Sequence, residues 1–312
     1  MKTFIRVCEI WVPSKYRTEL EFHSGLYGEL QQFRAASERM CFGYDEGLPG
    51  RAWAARAPVV LKDLQHSYFK RAAAAREAGL TCGVALPVFA GDYLLAVLVL
   101  YCGDAEDQFG AIELWHNEAA KSADLTLVDG YYGSAEEFAA VSREASFKPG
   151  AGLPGKVWQS GLPEVMGDLW YERRFARRAD GAPLGLSKGL AIPLLQEPGH
   201  SYVLTMLSAL GTPVARRFEI WTMDAARETI VFAGGECDLN KAFPQDYANA
   251  TVRRGEGPVG RVWASGLPEA CEALADDASP NGRSARKAGL VSLLALPVLE
   301  GGRLQAVVAL YF

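Results

Sequence analysis

Hydrophobic and polar positions along this chain run mostly with a period of two, interrupted by glycine turns and short stretches of helical spacing. The opening segment MKTFIRVCEIWVPS alternates apolar and polar residues and predicts a strand; TELEFHSGLY (18–27) predicts a second. A short helical stretch around Phe33 follows, then a glycine turn leading into a brief helix, GLPGRAW (47–53). After an irregular region come the helix-like run KRAAAAREAGL (70–80), a strand CGVALPV (82–88), a turn FAGDY and a last strand LLAVLVLY (94–101). That last run is apolar at every position, the mark of a strand buried on both faces. Strands dominate, hairpins join neighbours and the helices are short, which predicts an α+β unit with one central antiparallel sheet.

The pattern then repeats. GLPGRAW (47–53) returns as GLPGKVW (152–158) and GPVGRVW (257–263), with Trp53, Trp158 and Trp263 spaced by 105 residues each time. Glu9-Ile10-Trp11 is matched by Glu113-Leu114-Trp115 and Glu219-Ile220-Trp221, Phe33 by Phe138 and Phe243, and Pro87 by Pro193 and Pro297. The chain therefore reads as three copies of one unit, about 1–103, 104–211 and 212–312. A period this long is far above that of solenoid repeats, so each unit is expected to be a module with its own core.

Composition changes this picture little. The chain has 312 residues with 37 acidic and 32 basic side chains, a net charge of −5, which gives no reason to expect nucleic acid or an anionic membrane as a partner. No segment approaches the ~20 apolar residues of a bilayer span, and a cytoplasmic location is the default expectation. The six cysteines (Cys8, Cys41, Cys82, Cys102, Cys237, Cys271) form no CxxC pair, and the four histidines are scattered, so no metal site is expected.

GAGLPGKVW (150–158) has the G-x-G-x-x-G spacing of a phosphate-cradling loop. That fingerprint needs a long helix and a βαβ unit around it. Here Gly161 and Pro163 stop the helix early, Pro154 removes a backbone N–H, and the first copy has Asp45 in place of the leading glycine. The turn is read as structural: glycines for a tight corner, proline in a first helical turn, tryptophan packing the helix on the sheet.

The unit as a whole resembles a GAF domain. The stretches carrying the resemblance are the EIW strand, the GLPGxxW turn and helix, an F-x-R segment, an A-x-P strand and an apolar final strand. In the first copy they are Glu9–Trp11, Gly47–Trp53, Pro58, Asp63, Phe69, Arg71, Pro87 and Leu94–Tyr101; the second matches with Gly152–Trp158, Pro163, Asp168, Phe175, Arg177 and Pro193. The third is weaker, with Ala273 where the others have Asp and no Phe eleven residues before Leu290. The resemblance implies a small-molecule pocket between the sheet and the segment crossing it, and control of an attached effector. The three units use up the chain, so the effector is expected to be a separate protein. The patterns of the cyclic-nucleotide, bilin and sulfoxide-reductase branches are each incomplete here, and no cofactor is identified.

The expected ligand contacts are Asp63, Phe69 and Arg71 in the first copy and Asp168, Trp170, Tyr171, Phe175 and Arg177 in the second. The third copy is expected to be the structural one. Expected structural residues are Glu9, Glu113 and Glu219, Arg51, Lys156 and Arg261, and Trp53, Trp158 and Trp263. A cation in a helix's first turn opposes the macrodipole, so each glycine-turn cation is a candidate partner for the strand glutamate of its own copy. Links such as 103–110 and 210–216 are too short for a packing helix, so the sheets' back faces are expected to pack on one another, within the chain or across a homodimer. The leading functional reading is a non-catalytic sensory protein with no catalytic residue. The runners-up are a thiol redox enzyme using Cys8, Cys41 or Cys82, and a pure scaffold.

Overall fold

The computed structural model describes residues 3–103, 108–173, 175–197, 199–224, 228–240 and 242–312. The first unit contains β1 (Ile5–Pro13), β2 (Glu19–Leu26), α1 (Gln31–Ser37), β3 (Cys41–Gly43), α2 (Gly47–Ala55), β4 (Val59–Leu61), α3 (Ala72–Glu77), β5 (Cys82–Ala90) and β6 (Tyr93–Cys102). The second repeats the order: β7 (Phe109–Glu118), β8 (Leu125–Gly133), α4 (Glu136–Glu144), β9 (Ser146–Phe147), α5 (Gly152–Ser160), β10 (Glu164–Met166), α6 (Arg178–Gly181), β11 (Leu186–Glu197) and β12 (His200–Ala209). The third comprises β13 (Arg217–Asp224), β14 (Thr229–Cys237), α7 (Phe243–Tyr247), β15 (Thr251–Arg253), α8 (Gly257–Ser265), β16 (Glu269–Cys271), a 3-10 turn (Leu274–Asp276), α9 (Pro280–Lys287), β17 (Leu293–Glu300) and β18 (Arg303–Tyr311). Each unit forms one six-stranded antiparallel sheet of the same topology, β3-β2-β1-β6-β5-β4 in the first. This is the α+β architecture that the period-two runs predict. No helix among the described residues is long and apolar enough to cross a membrane.

The all-apolar final strand is explained by alternation. In β6, Val97, Val99 and Tyr101 point into the module's own core, while Ala96, Leu98, Leu100 and Cys102 point to the other face. That second face is not in water. Leu98 and Leu100 share one central core with Leu204 and Met206 of β12 and Val308 and Leu310 of β18. The three back faces thus pack on one another within a single chain, each fully buried aliphatic side chain contributing about 1.5–3 kcal/mol.

The packing is cyclic. β4 lies against β8, β10 against β13 and β14, and β16 against β1 and β2. An ion pair crosses each seam: Lys62–Asp129 at 2.5 Å, Lys188–Asp238 at 2.6 Å and Arg34–Glu272 at 2.7 Å. Each contact is head-to-tail, and the third returns to the first module, so the ring closes after three. Pro87, Pro193 and Pro297 meet around a cavity of about 60 Å³ where the three sheets converge. Each sits beyond the last paired residue of its short edge strand (Val59↔Ala85, Glu164↔Ala191, Glu269↔Ala295), where no neighbour needs its missing N–H.

The glycine turns bring each helix close to the strand before it. Gly47, Gly152 and Gly257 enter their helices at φ +59, +59 and +61°. A Cβ on Gly50, Gly155 or Gly260 would stand 2.2–2.3 Å from the carbonyl oxygen of residue 43, 148 or 253, so only glycine lets helix and preceding strand approach so closely. Trp53, Trp158 and Trp263 are half-buried and pack against the cores of their own modules.

Candidate functional site

Each first strand carries a glutamate whose side chain alternation turns inward. Glu9, Glu113 and Glu219 are all fully buried, two residues before a fully buried tryptophan on the same face. A carboxylate taken out of water needs a cation and several donors. The three modules supply them in two different ways.

In the first module Arg71, from the segment crossing the sheet, reaches Glu9 with both terminal nitrogens: Nη1 to Oε1 at 2.6 Å and Nη2 to Oε2 at 2.9 Å. Trp11 Nε1, Tyr27, Ser37 and Tyr101 donate to the same carboxylate. The guanidinium is sandwiched among Phe33, Phe69 and Trp11 at 4.7–5.5 Å. Burial pushes the Glu9 carboxyl up, but Arg71 and the hydrogen bonds outweigh it and hold the group below the usual carboxylate range. The second module is built alike. Arg177 forks onto Glu113, with Nη2 to Oε2 at 2.8 Å, and lies over Phe138 at 4.9 Å.

These pairs correct one expectation. The partners of Glu9 and Glu113 are Arg71 and Arg177, not the glycine-turn cations. Lys156 and Arg261 pair instead with Glu164 and Glu269 on the short edge strand that follows their helix. The first module has Val59 at that strand position, and Arg51 stacks on Tyr68 at 3.4 Å.

The expected ligand contacts separate under the same geometry. Arg71 and Arg177 are internal cations already taken by a carboxylate, and Phe69 and Phe175 are core residues beside them. Asp63 is exposed, its Oδ1 accepting from the backbone N–H of Gln65 and His66, which makes it a turn former. Asp168 is also exposed, at φ +48°, beside Glu236 of the third sheet. Trp170 and Tyr171 are 41% and 78% exposed and stand at the surface.

The third module solves the problem differently. Asn281 stands 210 positions after Arg71, in the place of the crossing-segment arginine, and donates to Glu219 at 3.1 Å and to the Tyr311 hydroxyl at 3.1 Å. The cation comes instead from β13: Arg217, 210 positions after Val7, is 1% exposed and reaches Glu219 only at 3.4 Å. Trp221 and Tyr311 donate to the other oxygen at 2.9 and 2.6 Å. Burial pushes the Glu219 carboxyl up, and its single looser cation does not bring it back.

This exchange coincides with an opening. A cleft of about 490 Å³ lies between α7 and α9, with Arg217 at its inner end and Asn240, Phe243, Tyr247, Arg283, Ser284 and Lys287 along its walls. Its volume is that of a small-molecule site. In the first two modules the corresponding helices, α1 with α3 and α4 with α6, pack on each other. The cleft thus belongs to the module whose missing Asp and Phe-Arg features mark it as structural in the sequence. Residue-by-residue registration of the copies, rather than motif matching, is the signal that exposes Arg217 and Asn281.

Matches to solved structures extend over about a third of this chain. The GAF domain of A. aeolicus nlh2 in an inactive state is 18% identical over 32% of this chain and 59% of its own, with a TM-score of 0.26. The GAF domain/HD domain protein of Geobacter sulfurreducens is 14% identical over 32% and 64%, at 0.27. Free methionine-R-sulfoxide reductase of Neisseria meningitidis, in complex with its substrate, is 16% identical over 31% and 52%, at 0.25. The chain therefore spans between half and two thirds of the length of these solved chains. No curated protein matches it. The sequence profile described as GAF domain matches residues 3–116 and 203–312, well over half of the chain, and with three sheets of one topology behind it the chain belongs to the GAF domain family.

Proposed function

We propose that this chain is a non-catalytic sensory or regulatory protein that takes a small molecule in its third module and acts on a separate partner protein. The observation that carries the reading is the exchange of Arg71 for Asn281, accompanied by a cleft of about 490 Å³ lined by residues of α7 and α9. In this reading the first two modules are frame, their central space occupied by an arginine–glutamate fork and aromatic rings. The central core joins all three sheets, so a change at α7 or α9 has a packed route to the other modules. A cytoplasmic site of action belongs to the same reading and is supported by six unpaired cysteines.

The thiols support a non-catalytic role. Burial pushes the Cys8 and Cys82 thiols far up, with the Glu9 charge adding to Cys8, and Cys41, although exposed, is raised by its hydrogen bond to Glu19. A nucleophilic cysteine needs the opposite shift. The test is native mass spectrometry of protein purified from its own host, compared with an Ala288→Trp variant that fills the cleft. A small molecule retained by the parent chain and lost in the variant is expected; equal retention by both, or none by either, would sink the reading.

A further inference from the structure

The geometry points to an organic acid anion as the occupant of the third-module cleft, its carboxylate on Arg217, Arg283 and Lys287 and its apolar body against Phe243 and Tyr247. This deepens the ligand-binding reading above and rests on it. Among the described residues lining the cleft there are three cations and no carboxylate, in a chain whose net charge is −5. Arg283 and Lys287 are one turn apart on α9, share a face and stand exposed at the mouth, where they draw anions inward.

Arg217 is the inner cation. It is buried, its Nη1 is shared between Ser284 Oγ at 2.9 Å and Glu219 at 3.4 Å, the Cys237 thiol lies within reach of the same guanidinium, and its Nε has no hydrogen-bond partner. Arg71 and Arg177 also leave Nε unpartnered, but each already forks onto a carboxylate with both terminal nitrogens. A guanidinium presents a planar fork that fits the two oxygens of a carboxylate. In the first two modules that carboxylate is an internal glutamate; in the third the fork is only partly used, and the cleft opens onto it. The α9 N-terminus is not free for a phosphate, because Ser279 Oγ accepts there from the Gly282 N–H. Phe243, whose ring lies 4.2 Å from the Arg217 guanidinium, and Tyr247 give an apolar wall for the rest of the ligand.

The test is calorimetric titration of the full chain with short-chain, branched and aromatic carboxylic acids, each against its own amide. At least one acid is expected to bind about tenfold or more tightly than its amide, the loss typical of a charged partner. The Arg283→Glu/Lys287→Glu double variant is expected to weaken that acid about tenfold without changing the melting temperature, while an Arg217→Leu variant, if folded, abolishes it. Amides binding as well as acids, acid binding indifferent to the double variant, or no acid binding at all would each overturn the anion assignment. Retention of a neutral molecule from the host, lost in Ala288→Trp, would leave the ligand-binding reading standing while the anion assignment fell.

Discussion

The first and third modules bury the same glutamate on the same strand and neutralise it from opposite directions. In the first, the crossing segment delivers Arg71 into a closed fork on Glu9, and the carboxyl is held low. In the third, the strand itself supplies Arg217 two residues away, the contact is looser, and the carboxyl is pushed up by burial. The difference teaches that the buried acid is the fixed element of this fold and its counter-charge the adjustable one. Moving the cation from the segment to the strand frees the space that the segment's arginine would fill.

The comparison breaks most visibly if the cation is removed without replacement. Arg71→Asn leaves Glu9 charged and unpaired in a dry core, and denaturation is expected to show a loss of about 3–5 kcal/mol. An unchanged unfolding midpoint would mean that the fork is not what holds Glu9. Adding Val7→Arg to that variant copies the third module's arrangement into the first. The pair is expected to recover about 0.5–3 kcal/mol of the loss, and a double variant no better than the single would show that the two solutions are not interchangeable.

Acid titration sharpens the same contrast. Glu9 has a folded value below its ordinary 4.5, so its contribution is complete above that value and lost as pH falls through the lowered one. Glu219 has a folded value above its ordinary 4.5, so the folded state binds the extra proton and stability falls as pH rises from about 4.5 through the raised value. The slope amounts to at most about 1.4 kcal/mol per pH unit for one proton. The groups facing Glu219 are Arg217, Trp221, Tyr247, Asn281 and Tyr311, and of these only Arg217 carries charge in this range. Urea titrations between pH 4.5 and 7 are expected to show this slope in the parent chain and a flatter one in Glu219→Gln; parallel curves would contradict it. The smallest effect belongs to a feature that does not distinguish the modules' interiors. Arg261→Ala removes an exposed pair with Glu269 and is expected to cost about 0.2–1 kcal/mol, as is Lys156→Ala with Glu164; a larger loss would promote these pairs from trim to frame.

Much of the fold was legible in the sequence because it is written three times. The period of two, the recurring Trp53, Trp158 and Trp263, and the apolar run at 94–101 mark strands, helix and a sheet buried on both faces. The back-face packing follows from links too short to hold a helix, whereas its cyclic closure depends on seams such as Lys62–Asp129 and Arg34–Glu272 that join residues far apart in the chain. The site was less legible. Arg71 and Arg177 stand out as polar residues in the right segment, but a ligand cation and a core cation look alike until their partners are seen. Trp170 and Tyr171 illustrate the converse, since an aromatic pair in an irregular segment carries no sign of which way it faces. Arg217 lay hidden because an arginine opening a strand reads as its solvated end.

The closed ring of three has one further consequence. Three separate copies of a single gene product around a threefold axis must all change whenever the gene changes, so every substitution is made three times or not at all. Tethering the copies into one chain releases them from that constraint. In one chain the third module can carry Asn281 and Arg217, with a cleft beside them, while the first and second keep Arg71 and Arg177.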